Sequence, residues 1–164
     1  MRLDRIDHAI LDHLQRRGRA TSAEVAEVAG LSPSPAHRRQ RLLEQSGIIR
    51  GYVALLDQDR VGLPVNVFVS VRLSAQTEEL LAQFEREIGG LAEVMECYMM
   101  SGASDYLLRV VAPDLAAYEA FLRTKLARIP GVRGVESAFA LKRVAYRTNL
   151  PLGKSPSPRG KGSA

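Results

Sequence analysis

LSPSPAHRRQRLLEQSG, residues 31–47, is the stretch from which the reading of this chain unfolds. Ser34 is a good helix N-cap. Pro35 suits the first helical position, where a missing N–H does no harm. Gly47 supplies a left-handed stop. Between them His37, Arg38, Arg39 and Arg41 crowd into little more than one turn, and nothing acidic interrupts them before Glu44. Such a run stabilises an isolated helix poorly but suits a helix that meets phosphates and guanine edges. On charge alone, a solvated surface helix fits it as well.

The residues before it favour the first reading. TSAEVAEVAG, residues 21–30, predicts a short helix with a Thr21–Glu24 capping box, an apolar edge at Val25 and Val28, and Gly30 as its stop. Leu31, Ser32 and Pro33 then form a tight turn into the basic helix. Two short helices joined this way, the second basic, are a helix-turn-helix. Residues 3–17 carry Leu3, Ile6, Ile10 and Leu14 at helical spacing and complete a three-helix unit. Its expected core is Ile6, Ile10, Leu14, Val25, Leu31, Leu43 and Ile48. Positions 34, 37, 38 and 41 form an outward stripe opposite Ala36, Gln40 and Leu43. The expected DNA contacts are Ser32 and Ser34 at the helix start, His37, Arg38 and Arg41 on the stripe, and Arg39 on its flank. Gln40 faces the core or the domain edge, where its amide needs a partner; it bonds a backbone group of the preceding helix, or the helix is rotated slightly.

Charge is segregated. Residues 1–50 hold nine Lys/Arg and six Asp/Glu (net +3), residues 51–150 hold eleven and twelve (net −1), and residues 151–164 hold three and none (net +3). Positive charge gathered in one segment marks a face that meets a polyanion. The remaining composition is that of an ordinary globular chain, 46% hydrophobic and 25% charged. The single cysteine, Cys97, excludes an intrachain disulfide, fits a reducing, cytoplasmic setting, and reads as a small buried hydrophobe. No apolar run is long enough for a membrane, and the charged, periodic start does not read as a signal peptide. Residues 151–164 read as a disordered basic tail.

Beyond Gly47, residues 51–64 read as a strand or linker leading to a second domain over residues 65–150. NVFVSVRL, residues 66–73, alternates and predicts a strand. A helix follows over residues 77–88, with Thr77 as N-cap. Strands at 93–101 and 104–112 flank a Gly102–Ala103 turn. A helix spans residues 114–129 from Asp114, and a last strand spans 134–144. The order β-α-β-β-α-β is ferredoxin-like, so the chain is α+β as a whole. Two helices on one sheet face leave the other uncovered, and a second copy is its natural cover; the alternative is a monomer capped by residues 51–57 or the tail.

The ordered set LDRIDHAILDHLQRRGR (3–19), GLSPSPAHRRQRLLEQSGIIRGYVALLD (30–57), ECYMMSGASDYLLRVVAPDLAAYEAFL (96–122) and LARIPGVRGVESAFALKRV (126–144) resembles the leucine-responsive/asparagine-responsive (Lrp/AsnC) family of bacterial regulators. The resemblance implies an N-terminal winged/helix-turn-helix domain that binds double-stranded DNA. It also implies a C-terminal ferredoxin-like (RAM) domain that forms dimers or octamers and binds a small effector, usually an amino acid. It puts the effector near Tyr98, Met99, Met100, Ser101, Gly102, Asp105, Tyr106, Tyr118, Ser137 and Phe139. The family's loop usually reads Gly-Asp-x-Asp-Tyr; here Ala103 replaces the first Asp and Asp105 keeps the second. Asp105 is either the partner of an ammonium group or a turn residue, and Met99 and Met100 also fit a core.

Enzyme chemistry finds no support. The histidines His8, His13 and His37 all lie in the first domain, and His8 and His13 fall on different helix faces, so neither a metal site nor a cofactor is expected. The alternative function is an amino-acid-binding module that acts on a protein partner.

Overall fold

The computed structural model describes residues 2–152. The described residues divide into two compact units, 2–54 with 145–152, and Leu55–Val144.

The first unit holds three helices: α1 (Arg5–Arg16), α2 (Ser22–Ala29) and α3 (Pro33–Gln45). Asp4 caps α1 through a capping box with Asp7. The Thr21–Glu24 box forms on α2 as expected, with Gly30 left-handed at its end. Ile10, Leu14, Val25 and Leu43 are buried in one cluster with Leu11 and Ala29, while Ile6 and Leu31 pack at its rim. Two expectations shift. Ile48 is exposed and Ile49 packs in its place, because the turn through the left-handed Gly47 sets the Ile49 N–H on the Leu43 carbonyl. Val28 is also exposed. Residues 51–64 form no strand. Residues 145–152 group with the helices through Leu152, which packs on their core, and through Leu150, whose N–H and carbonyl bond the Gln15 amide.

The second unit is a four-stranded antiparallel sheet in the order β2-β3-β1-β4, from β1 (Val65–Leu73), β2 (Val94–Met99), β3 (Tyr106–Ala112) and β4 (Val132–Phe139). Helices α4 (Glu78–Gly89) and α5 (Leu115–Thr124) take their N-caps from Thr77 and Asp114, as expected. The helix expected to reach residue 129 ends at 124 and passes into a 3-10 turn at Leu126–Arg128. The last strand ends at Phe139, short of residue 144. Val67, Val69 and Val71 face α4 and α5 and are fully buried with Phe84, Leu108 and Leu126. Phe68 stands on the opposite, open face at 39% exposure. That face is partly polar. Arg109 there donates to Asn66, Glu96 and Gln58, so the turn carrying Gln58 covers part of it. Cys97, expected to be buried, is exposed, because β2 is an edge strand whose residues nearly all meet solvent.

Candidate DNA-binding and effector sites

Helix α3 begins two residues earlier than expected. Ser32 is its N-cap and Pro33 its first residue, so Ser34 and Pro35 lie inside the first turn. An N-cap side chain bonds the N–H of the second or third helical residue. Here the third is Pro35, which has none, and Ser32 makes no side-chain cap bond. The two prolines also remove N–H groups that a helix start would otherwise offer to an anion. What remains is the Ser34 N–H and the hydroxyls of Ser32 and Ser34.

Ala36 and Leu43 are fully buried and fix which side of α3 faces the core. His37, Arg38 and Arg41 are exposed on the other side with Ser32 and Ser34. Among the described residues none of His37, Arg38 and Arg41 has an ion pair or hydrogen-bond partner, so these donors are free for a ligand. Arg39 differs. It is half-buried, and its guanidinium donates to Asp4 at 2.7 Å and to Asp7 at 2.8 Å, both on the first turn of α1. The carboxylates raise the Arg39 pKa further, Asp4 most. Gln40 does not reach the preceding helix. Its amide donates to Glu44 and to the Tyr52 hydroxyl, which itself donates to Glu44.

The expected effector residues do not converge. Tyr98 lies on edge strand β2 beside Leu107 of β3, on the open face. Ser137 and Phe139 lie on the opposite edge strand, β4, in register with Val69 and Val67 on the helix face. There Tyr118 of α5 shares a 2.6 Å hydrogen bond with Ser137 and meets the Phe139 ring edge-on. Burial raises the Tyr118 pKa. Tyr106 is a core residue, 1% exposed, against Phe84, with its hydroxyl donating to Glu85. Burial and then Glu85 push its pKa up. Ser101, Gly102 and Ala103 form the loop between β2 and β3, with Gly102 at φ 131°. Asp105 is neither free nor bonded to its own turn. One carboxylate oxygen accepts the Leu73 N–H at 2.7 Å and the other accepts the Gln76 amide, tying this loop to the end of β1. Clefts of about 250 Å³ beside Asp57 and Arg143 and beside Glu87 and Pro130 are lined by none of the expected effector residues. Among the described residues no cluster of His, Cys, Asp or Glu could hold a metal, and no helix is long and apolar enough to cross a membrane.

Residues 3–50 match a winged helix-turn-helix DNA-binding family description, and residues 66–150 match the Lrp/AsnC ligand binding domain. The chain is 50% identical over 150 residues to the Bkd operon transcriptional regulator of Pseudomonas aeruginosa, covering 92% of this chain and 98% of that one. It is 38% identical over 150 residues to the leucine-responsive regulatory protein of Escherichia coli, covering 92% of each. Among solved structures, a Neisseria meningitidis transcriptional regulator in complex with L-Met superposes with a TM-score of 0.87 at 36% identity, over 92% of this chain and 97% of that one. With both halves matched in order and an exposed basic stripe on the second helix of the helix-turn-helix, this chain belongs to the Lrp/AsnC family of DNA-binding transcriptional regulators, which are not enzymes.

Proposed function

We propose that α3 reads operator DNA through Ser34, His37, Arg38 and Arg41, and that an amino acid bound to the sheet unit modulates that binding. The carrying observation is the stripe of free, exposed donors on α3, opposite the buried Ala36 and Leu43. Arg38 and Arg41 each present a planar fork that matches a guanine edge or a phosphate. The Ser34 N–H and the two serine hydroxyls suit a phosphate beside the groove. Two copies paired through the open sheet face would present two such helices to successive major grooves, roughly 34–36 Å apart.

For the amino-acid effector, support comes from the L-Met complex of the Neisseria relative. Asp105 already accepts the Leu73 N–H and the Gln76 amide, one on each oxygen, so an ammonium here shares the carboxylate with contacts internal to the protein. The expected effector residues sit on opposite edges of one sheet, so a site that uses both sets needs two copies. A gel shift at physiological salt tests the DNA reading. Arg38→Ala with Arg41→Ala abolishes operator binding if α3 is the recognition helix, and unchanged binding overturns that reading. A thermal-shift screen of the twenty amino acids tests the effector, since a ligand of the folded state raises its melting temperature.

A further inference from the structure

Asp7 is the one buried charged side chain among the described residues, at 4% exposure. Its partner is Arg39, on the helix that otherwise carries the free basic stripe. The contact and the cap together engage all four carboxylate oxygens of Asp4 and Asp7. One Asp4 oxygen accepts the N–H groups of Ile6 and Asp7, and the other accepts Arg39. One Asp7 oxygen accepts the Asp4 N–H, and the other accepts Arg39. The capping box of α1 is therefore also a socket for a guanidinium from α3, built from residues 32 to 35 positions away in the chain.

We propose that Arg39 is a positioning residue for DNA reading, and that the Asp4–Asp7 socket sets the roll of α3 and hence the aim of Arg38 and Arg41. Arg39 follows Arg38 directly, about 100° further round the helix, so holding one fixes the other. Arg39 sits one turn from Ala36 on the inner side, and its single positive charge is outweighed by two carboxylates. A phosphate approaching this group meets net negative charge, so Arg39 releases no counterion on binding. The buried side of α3 is otherwise small (Ala36), anchored by Leu43 and by the neutral Gln40–Tyr52 hydrogen bond, so a stronger directional contact decides rotation about the helix axis. The charged hydrogen bonds from Arg39 provide it.

This inference rests on α3 being the recognition helix, and the test separates the two claims. Binding is measured by fluorescence anisotropy on a site selected by the parent protein from random DNA, and on random-sequence DNA of equal length, over a range of salt concentrations. The variants are Arg39→Gln, Asp7→Asn and Asp4→Asn, each with its melting temperature. Asn caps a helix as well as Asp does, so Asp4→Asn keeps the α1 cap while weakening the socket, and Asp7→Asn keeps one oxygen for the Asp4 N–H while losing its charge toward Arg39. The ratio of selected to random affinity is expected to fall by about tenfold in Arg39→Gln and Asp7→Asn, the size of one lost base contact. The salt slope of Arg39→Gln should equal that of the parent. A slope shallower by about one unit would mean that Arg39 touches a phosphate. A ratio unchanged in all three folded variants would equally overturn the proposal. Should Arg39→Gln fail to fold, Asp4→Asn decides alone, with a reduced ratio expected and an unchanged or higher one fatal. Arg38→Ala with Arg41→Ala is the control: if it leaves binding intact, the recognition-helix reading has failed rather than the socket.

Discussion

In the helical unit, five of the six expected contact residues (Ser32, Ser34, His37, Arg38 and Arg41) are exposed on α3 or at its start, and only Arg39 is taken up by the fold. In the sheet unit, the expected effector residues are spread over two edges, two faces and a loop. The difference follows from how each element builds a surface. A helix brings residues three and four apart onto one stripe, so a helical site is written in local spacing. A sheet site depends on which strand lies beside which, and strands adjacent in sequence need not be neighbours. Here β2 and β4 end at opposite edges, and a site joining them calls for a second molecule.

The comparison breaks most visibly at the arginines. Arg38→Ala and Arg41→Ala should each cost about 1–3 kcal/mol of operator binding. A base-reading arginine loses discrimination at one position, whereas a phosphate clamp weakens all sequences alike, and binding to a panel of mutated operators distinguishes them. If both variants act alike on every sequence, the two arginines clamp phosphates, and specificity falls to Ser34 and His37 or to another element.

Asp105→Asn comes next. It removes a charged acceptor from the Leu73 N–H and should destabilise the sheet unit by about 1–2 kcal/mol in denaturant unfolding, with the DNA contacts untouched. If stability is unchanged while an amino-acid response vanishes, Asp105 is a ligand group after all, and the loop between β2 and β3 regains its place as the effector site. Tyr118→Phe removes the hydroxyl bonded to Ser137 and should cost about 1 kcal/mol of stability. A larger effect on effector response than on stability would make the β4 edge part of the pocket.

The smallest effect is on pH. The Asp7 backbone N–H, and then Arg39, hold the Asp4 carboxyl below the usual carboxylate range. A folded-state pKa below the unfolded one stabilises the protein above the unfolded value, and that contribution is lost as pH falls through the folded value. Asp4→Asn should therefore flatten the loss of stability on acidification below about pH 4, measured by thermal unfolding between pH 3 and 6. An identical acid profile in the variant would show that Asp4 contributes nothing there.

Much of the fold was legible because its signals were local. Thr21–Glu24, Thr77 and Asp114 capped the helices expected of them, and the alternating valines of β1 faced the helices. What could not be read was non-local. Nothing near Arg39 announces that its partners lie on another helix, although the Asp4-x-x-Asp7 spacing was there to be read as a capping box. Cys97 lies in an apolar stretch, but its burial depended on β2 being an edge strand, which only the strand order reveals. The start of α3 lies two residues before the expected one because Ser-Pro occurs twice in succession and each pair fits a helix start by its sequence alone.

That repeated Ser-Pro has a further consequence. Pro33 and Pro35 hold φ near its helical value before the helix forms, so the disordered chain has fewer conformations to give up there. At sites whose geometry suits proline this is worth about 0.4–1 kcal/mol each. The leading turn of α3 thus owes part of its order to the scarcity of alternatives rather than to contacts. A DNA surface meeting it finds the turn already formed and spends little binding energy on ordering it.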